Sequence, residues 1–178
     1  KICLELILIV FPELKNLNLI INLDKTKKNK LKKIDFIFLL SLLIIDETDN
    51  TDYFLYKYNI SKKDQKRIKI IYNFFKEKMT SKTFTKNNIN KFFYYHGNQA
   101  VLDILNYRLI KSKKLDENII KLIDFYTSRK IPLMPINADI LMEQYKIPEG
   151  KELGKKLKVI EEKWVSNNFH ISDLEVNN

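Results

Sequence analysis

Three glycines and four prolines are all that interrupt 178 residues. Between them the apolar side chains recur at spacings of three and four, the period of a helix rather than of a strand. The expectation is an all-α, multi-helical bundle. With 45% apolar and 12% aromatic content the chain can bury a sizeable core, which excludes a disordered or collagen-like protein. The longest apolar stretch, Phe36 to Ile45, covers ten residues, about half of what a bilayer crossing needs, and reads as a central core helix. The start, KICLELILIVF, is broken by Glu5 and has no small-residue cleavage site after it, so no secretory leader and no membrane segment are expected.

Local signals place the helices. The first covers about residues 2 to 10 and ends at Phe11-Pro12, because the residue before proline is pushed out of the helical region; a second runs from Pro12 through Leu23. A lysine-rich link, Lys25 to Lys33, precedes the helix Ile34 to Ile45, and the acidic break 46–52 precedes a short aromatic helix at Tyr53 to Tyr58. Ser61 followed by Asp64 forms a capping box that opens a helix to about Lys78. On it Lys62, Lys66, Lys69, Asn73 and Lys76 share one stripe, and Ile68, Ile71 and Phe75 another. Further helices are expected at Lys86 to Tyr95, Gly97 to Ile110, Asp116 to Ser128, Ala138 to Tyr145 and Gly150 to Val165, the last burying Leu153, Leu157, Ile160 and Trp164. The prolines of Ile131 to Pro135 suggest a division into 1–130 and 131–178.

The charge is lopsided, with 32 Lys plus Arg against 22 Asp plus Glu and a net +10. Such an excess favours a polyanionic partner, although 29 of the 32 basic residues are lysine, a skew that AT-rich codons also produce. One cysteine, Cys3, excludes an internal disulfide and suits a cytoplasmic protein. The two histidines, His96 and His170, stand 74 positions apart without cysteine neighbours, so no zinc site is expected.

Most catalytic patterns are missing. There is no glycine-rich phosphate loop, no Cys-x-x-Cys, no Gly-x-Ser-x-Gly elbow and no Asp-x-Asp pair that could set two carboxylates onto magnesium. The cluster Asp46, Glu47, Asp49, Asp52 is read as a solvated loop, His96 as a helix-end residue beside Gly97, and the run Phe92, Phe93, Tyr94, Tyr95 as mostly core. No catalytic residue and no metal ligand is expected in this chain.

The last third carries a resemblance. Pro135 and Ile136 leading to Asp139, Ile140 and Leu141, then Gly150, Glu152, Leu153, Gly154, Lys155 and Leu157, then Glu161, Trp164 and Phe169, resemble ordered motifs in the C-terminal region of class II CCA-adding enzymes, the bacterial tRNA nucleotidyltransferase and poly(A) polymerase family. Upstream, the segment from Ile60 to Ile68 with Ser61, Lys62, Asp64, Lys66 and Arg67 is similar to a helix start of that family, as are Lys1, Ile2, Glu5 and Leu6 to an earlier element and Phe11 to Leu17 to the helix after it. The chain departs from the pattern at Lys151, where the family has proline, and at Asn137 or Ala138, where it has glycine. About two extra residues separate Asp139 from Gly150. The family's catalytic head and its nucleotide-selecting neck motif have no counterpart here.

The resemblance implies a helical body and tail that bind tRNA without catalysis, Mg2+ and CTP or ATP belonging only to a head domain supplied in cis or by a separate chain. A chain that opens on lysine fits a portion of a longer protein. Shape-and-phosphate recognition of tRNA calls for lines of basic residues, and the candidates are Lys62, Lys66, Arg67, Lys69 and Lys76 on one helix and Gly150, Lys151, Gly154, Lys155 and Lys158 on another. Gly150 offers free backbone N–H groups at a helix start; Gly154 offers either the same or a close helix approach. The competing expectation is a small helical interaction protein, or a degraded-gene remnant, that does not bind tRNA.

Overall fold

The computed structural model describes residues 7–46, 48–76 and 84–172. Among these every regular element is a helix: a short turn at residues 7–10, α1 (Leu17–Ile21), α2 (Lys25–Lys28), α3 (Phe36–Ile44), α4 (Asn50–Lys57), α5 (Lys62–Lys76), α6 (Lys86–Lys111), α7 (Glu117–Thr127), α8 (Ala138–Glu143) and α9 (Lys151–Ser166). The expected residues Lys1, Ile2, Cys3, Glu5 and Leu6, Glu47 of the acidic loop and the end of the helix predicted to reach Lys78 lie outside the described residues.

The described residues fall into two compact units, one drawn from Lys1–Thr80 and Asn98–Arg129, the other from Ser81–Gly97 and Lys130–Asn178. Their extents differ from a single division at residue 130, because the described residues 84–97 group with the C-terminal part. The changeover falls inside α6, where Gly97 takes φ 82 and ψ 178 and interrupts the helix. That conformation is open to glycine and strained for other residues. It accounts for the two separate helices expected on either side of residue 96.

The first unit is built around α3, whose Phe38, Leu42 and Ile44 are essentially inaccessible and pack with Phe54, Leu55, Ile68, Ile71 and Tyr107. The helix begins at Phe36 rather than Ile34, since Asp35 is its N-cap and accepts from Phe38 N at 3.0 Å. Two expectations at the front give way to tertiary contacts. Residues 12–16 form turns rather than a helix from Pro12, because Asn16 is tied to the end of α3: its N–H donates to Leu43 O at 3.2 Å and its side chain to Ile45 O at 2.7 Å. The lysine link contains the four-residue helix α2, and Lys27 of that helix donates to the carbonyl of Ser112. The acidic break likewise supplies the first turn of α4, as buried Asn50 donates to Glu13 O and Ile44 O, both at 2.9 Å.

One ion-pair system ties three helices together. Arg67 of α5 reaches both oxygens of Asp103 on α6, Nε to Oδ2 at 2.7 Å and Nη2 to Oδ1 at 2.9 Å, and its Nη1 meets Asp35 Oδ2 at 2.6 Å. Asp103 is fully buried, and burial pushes its carboxyl up against the opposing pull of Arg67 and of Gln99, which donates to it at 2.9 Å.

In the second unit Leu141, Leu153 and Ile160 form a core with Ile136, Met142, Tyr145 and Leu157 around it. Asn137 caps α8, accepting from Ile140 N at 2.9 Å. The aromatic anchor is Tyr94: its hydroxyl donates to Glu161 at 2.6 Å, and its ring lies 5.5 Å from Trp164 and 6.1 Å from Phe169. The chain reverses after α9 through Asn168 and Phe169, both at positive φ, with Phe169 N donating to Trp164 O at 2.8 Å and Asn90 donating to Asn168 at 2.8 Å. Glu161, Trp164 and Phe169, singled out in the sequence, therefore assemble around one tyrosine.

Candidate nucleic-acid interface

The α5 lysine line arises from the period of the helix. Ser61 Oγ accepts from Asp64 N at 3.2 Å and donates to Asp64 Oδ2 at 2.6 Å, closing the first turn. Ile68 and Ile71 then face the core at 0% exposure. Lys62, Lys66, Lys69 and Lys76 stand exposed on the opposite side. Two of them have neighbours: Lys69 Nζ lies 3.1 Å from Asp52 Oδ1, and Lys76 Nζ sits 5.4 Å above the ring of Tyr72. Both contacts are open to water and leave the charge on the surface.

Arg67 does not join this line. It lies on the flank of α5 nearer the core, with its guanidinium engaged by Asp103 and Asp35, and the two carboxylates raise its affinity for its proton. Five donors in a fixed fork suit such a two-carboxylate site better than a lysine would.

In the second unit α9 repeats the pattern, with Lys151, Lys155 and Lys158 exposed opposite buried Leu153, Ile160 and Trp164. Gly150 is the N-cap at φ 145, without a side-chain cap, which leaves N–H groups of the first turn open. Gly154 is exposed, and a Cβ built there meets nothing within 4 Å. The close-approach explanation for that glycine is therefore overturned: no neighbouring helix presses on it.

The remaining chemical candidates resolve into structural roles. Among the described residues no group of three or more His, Cys, Asp or Glu could hold a metal. Asp46 accepts from Thr48 N at 3.0 Å and from Thr48 Oγ1 at 2.7 Å, and Asp52 is the Lys69 partner. His96 is exposed and its ring packs 4.4 Å from that of Phe92. Phe93 is fully buried, while Tyr95 is 55% exposed. Among the described residues no helix is long and apolar enough to cross a membrane.

The sequence singles out neither Asp103 nor Tyr56, and offers Tyr94 only as one of four consecutive aromatics and Tyr53 only as the start of an aromatic helix. Asp103 carried a signal, a lone carboxylate inside the apolar run Ala100 to Leu105 that demands a cationic partner.

Neither the curated proteins nor the solved structures contain a match to this chain. The family model described as tRNA nucleotidyltransferase domain 2 matches residues 30–171, 142 of the 178. The matched span takes in α3 to α9 and both lysine lines, and the chain belongs to the tRNA nucleotidyltransferase domain 2 family.

Proposed function

We propose that this chain is the tRNA-grasping helical portion of a nucleotidyltransferase of the CCA-adding and poly(A) polymerase type, holding the RNA while a head domain, in cis or on a separate chain, performs the transfer with Mg2+ and CTP or ATP. The observation that carries the reading is the family match over both lysine-bearing helices, each with its cations exposed opposite a buried apolar face.

Lys62, Lys66, Lys69 and Lys76 on α5, and Lys151, Lys155 and Lys158 on α9, present ammonium groups along a helix, an arrangement that follows a phosphate backbone and reads no bases. The open first turn at Gly150 adds N–H groups of the kind that hold a phosphate oxygen, while the N–H of Gly154 is taken by Gly150 O at 3.2 Å. Arg67 serves the same interface from beneath, by fixing α5 to Asp103 and Asp35. The work of this chain is positional, and the chemistry belongs to the head.

Alanine at Lys62 and Lys66 tests it: each lost phosphate contact should flatten the salt dependence of tRNA affinity by about one counterion. An unchanged slope removes α5 from the interface.

A further inference from the structure

The outer side of α4 carries two tyrosines that the core does not use. Tyr53 is 53% exposed and Tyr56 86% exposed; standing three residues apart, they share one side of the helix. With Leu55, Lys57, Asn59 and Gln65 they line an open cleft of about 540 Å³. Single exposed aromatics are ordinary, but a pair of them around a cleft with a buried apolar residue, Leu55 at 2% exposure, is not.

The surroundings define what could sit there. Lys57 Nζ lies 5.7 Å from the centre of the Tyr53 ring and is matched by Glu13 Oε1 at 2.6 Å, so it packs along the wall with its charge already balanced. Asn59, at φ 45, turns the chain from α4 into α5 and is exposed. Gln65 anchors the opposite side, donating to Ile60 O at 2.8 Å. Two ring faces, an aliphatic residue and two side-chain amides suit a flat heterocycle with hydrogen-bonding edges.

The cleft also borders the α5 lysine line. The Lys69–Asp52 contact links α5 to α4, and Tyr56, four residues after Asp52, and Gln65, four residues before Lys69, both line the cleft. Lys62, three residues before Gln65, neighbours it on the exposed side of α5, and Lys66 continues that line one turn on.

We propose that this cleft is a nucleobase site: an unpaired RNA base stacks on Tyr53 and Tyr56 while the phosphates beside it lie on Lys62 and Lys66. Bases inside a duplex keep their faces covered, so the site takes a nucleotide from a loop or a single-stranded end. The inference deepens the RNA-binding reading and rests on it for its physiological ligand, but the cleft can be tested alone.

The test is 19F NMR of the full chain labelled with 3-fluorotyrosine, the Tyr53 and Tyr56 resonances being assigned with Tyr53→Phe and Tyr56→Phe, and titrated with an unstructured ten-nucleotide RNA and then with a duplex of equal length. Both resonances should shift with the single strand and not with the duplex. Tyr53→Ala/Tyr56→Ala should weaken single-strand binding about tenfold or more without altering the salt slope, and circular dichroism should be unchanged because neither ring is in the core. Unmoved resonances, or a double variant that binds as tightly as the wild type, overturn the site. Shifts with the oligonucleotide alongside no salt-dependent tRNA binding would sink the tRNA reading and keep the site; tRNA binding with both resonances unmoved would do the reverse.

Discussion

Arg67 and Asp103 form a two-point ion pair across 36 positions of sequence, with both carboxylate oxygens of a fully buried aspartate taken up by one guanidinium. The pair, extended to Asp35 at 2.6 Å, joins the helix that bears the lysine line to the two helices behind it. Arg67→Ala leaves Asp103 buried without its cation, and the expected cost is about 3–5 kcal/mol, read as a lowered urea midpoint. Arg67→Met/Asp103→Leu should be less destabilising than Arg67→Ala, since no charge is then left stranded. A single variant of near-native stability would contradict the assignment of Arg67 to the fold.

The glycines separate by conformation. Gly154→Ala, in an exposed helix interior with open space at its Cβ, should stabilise the protein by about 1 kcal/mol. Gly97→Ala, at φ 82 and ψ 178, should destabilise it by about 1–3 kcal/mol. Thermal melts of the two variants should move in opposite directions from the wild type.

Alkali should act through two tyrosines, half-buried Tyr94 and buried Tyr126. Burial first, then the Glu161 carboxylate, push the Tyr94 hydroxyl from its ordinary 10.0 up to about 12, and burial takes Tyr126 to about 12 as well. A raised value favours the neutral phenol in the folded state, so this stabilisation is fully present below pH 10 and is lost as pH rises through 12. Chemical denaturation between pH 9 and 12 should show that loss. Tyr94→Phe should reduce the slope there, while giving up about 1 kcal/mol at neutral pH with the hydrogen bond.

Acid acts on the other side. Glu13 is held below its ordinary 4.5, chiefly by the hydrogen bond from Lys57 at 2.6 Å, with Tyr58 assisting and burial opposing. A lowered carboxylate contributes stability that is present above pH 4.5 and fades as pH falls through the folded value. Glu13→Gln should be less stable than wild type at pH 7, and the gap should narrow toward pH 3; a gap independent of pH would remove this ion pair from the account.

What the sequence made legible was what short-range chemistry controls. Ser61 with Asp64 announced a helix start because a capping side chain and its N–H lie within three residues, and of the expected stripe Leu153, Leu157, Ile160 and Trp164 all but the half-buried Leu157 are buried, as the helical period requires. Partners far apart in sequence were not legible: Arg67 stands among the α5 lysines in the sequence, whereas Asp103 claims it across 36 residues. Tyr94 was hidden for the same reason, sitting among four aromatics while the Glu161 it serves is 67 positions on. Asn16, tied to Ile45 across 29 residues, is the third case, in which a long-range hydrogen bond replaced an expected helix by turns.

Titration of the purified chain with bulk tRNA at several salt concentrations, with double-stranded DNA of equal length as competitor, tests the central claim most directly. The account predicts micromolar or tighter affinity that prefers tRNA and falls steeply with salt, as several lysine–phosphate contacts require. Equal affinity for both nucleic acids, or none for either, would contradict it and leave the +10 charge without a tRNA-grasping role.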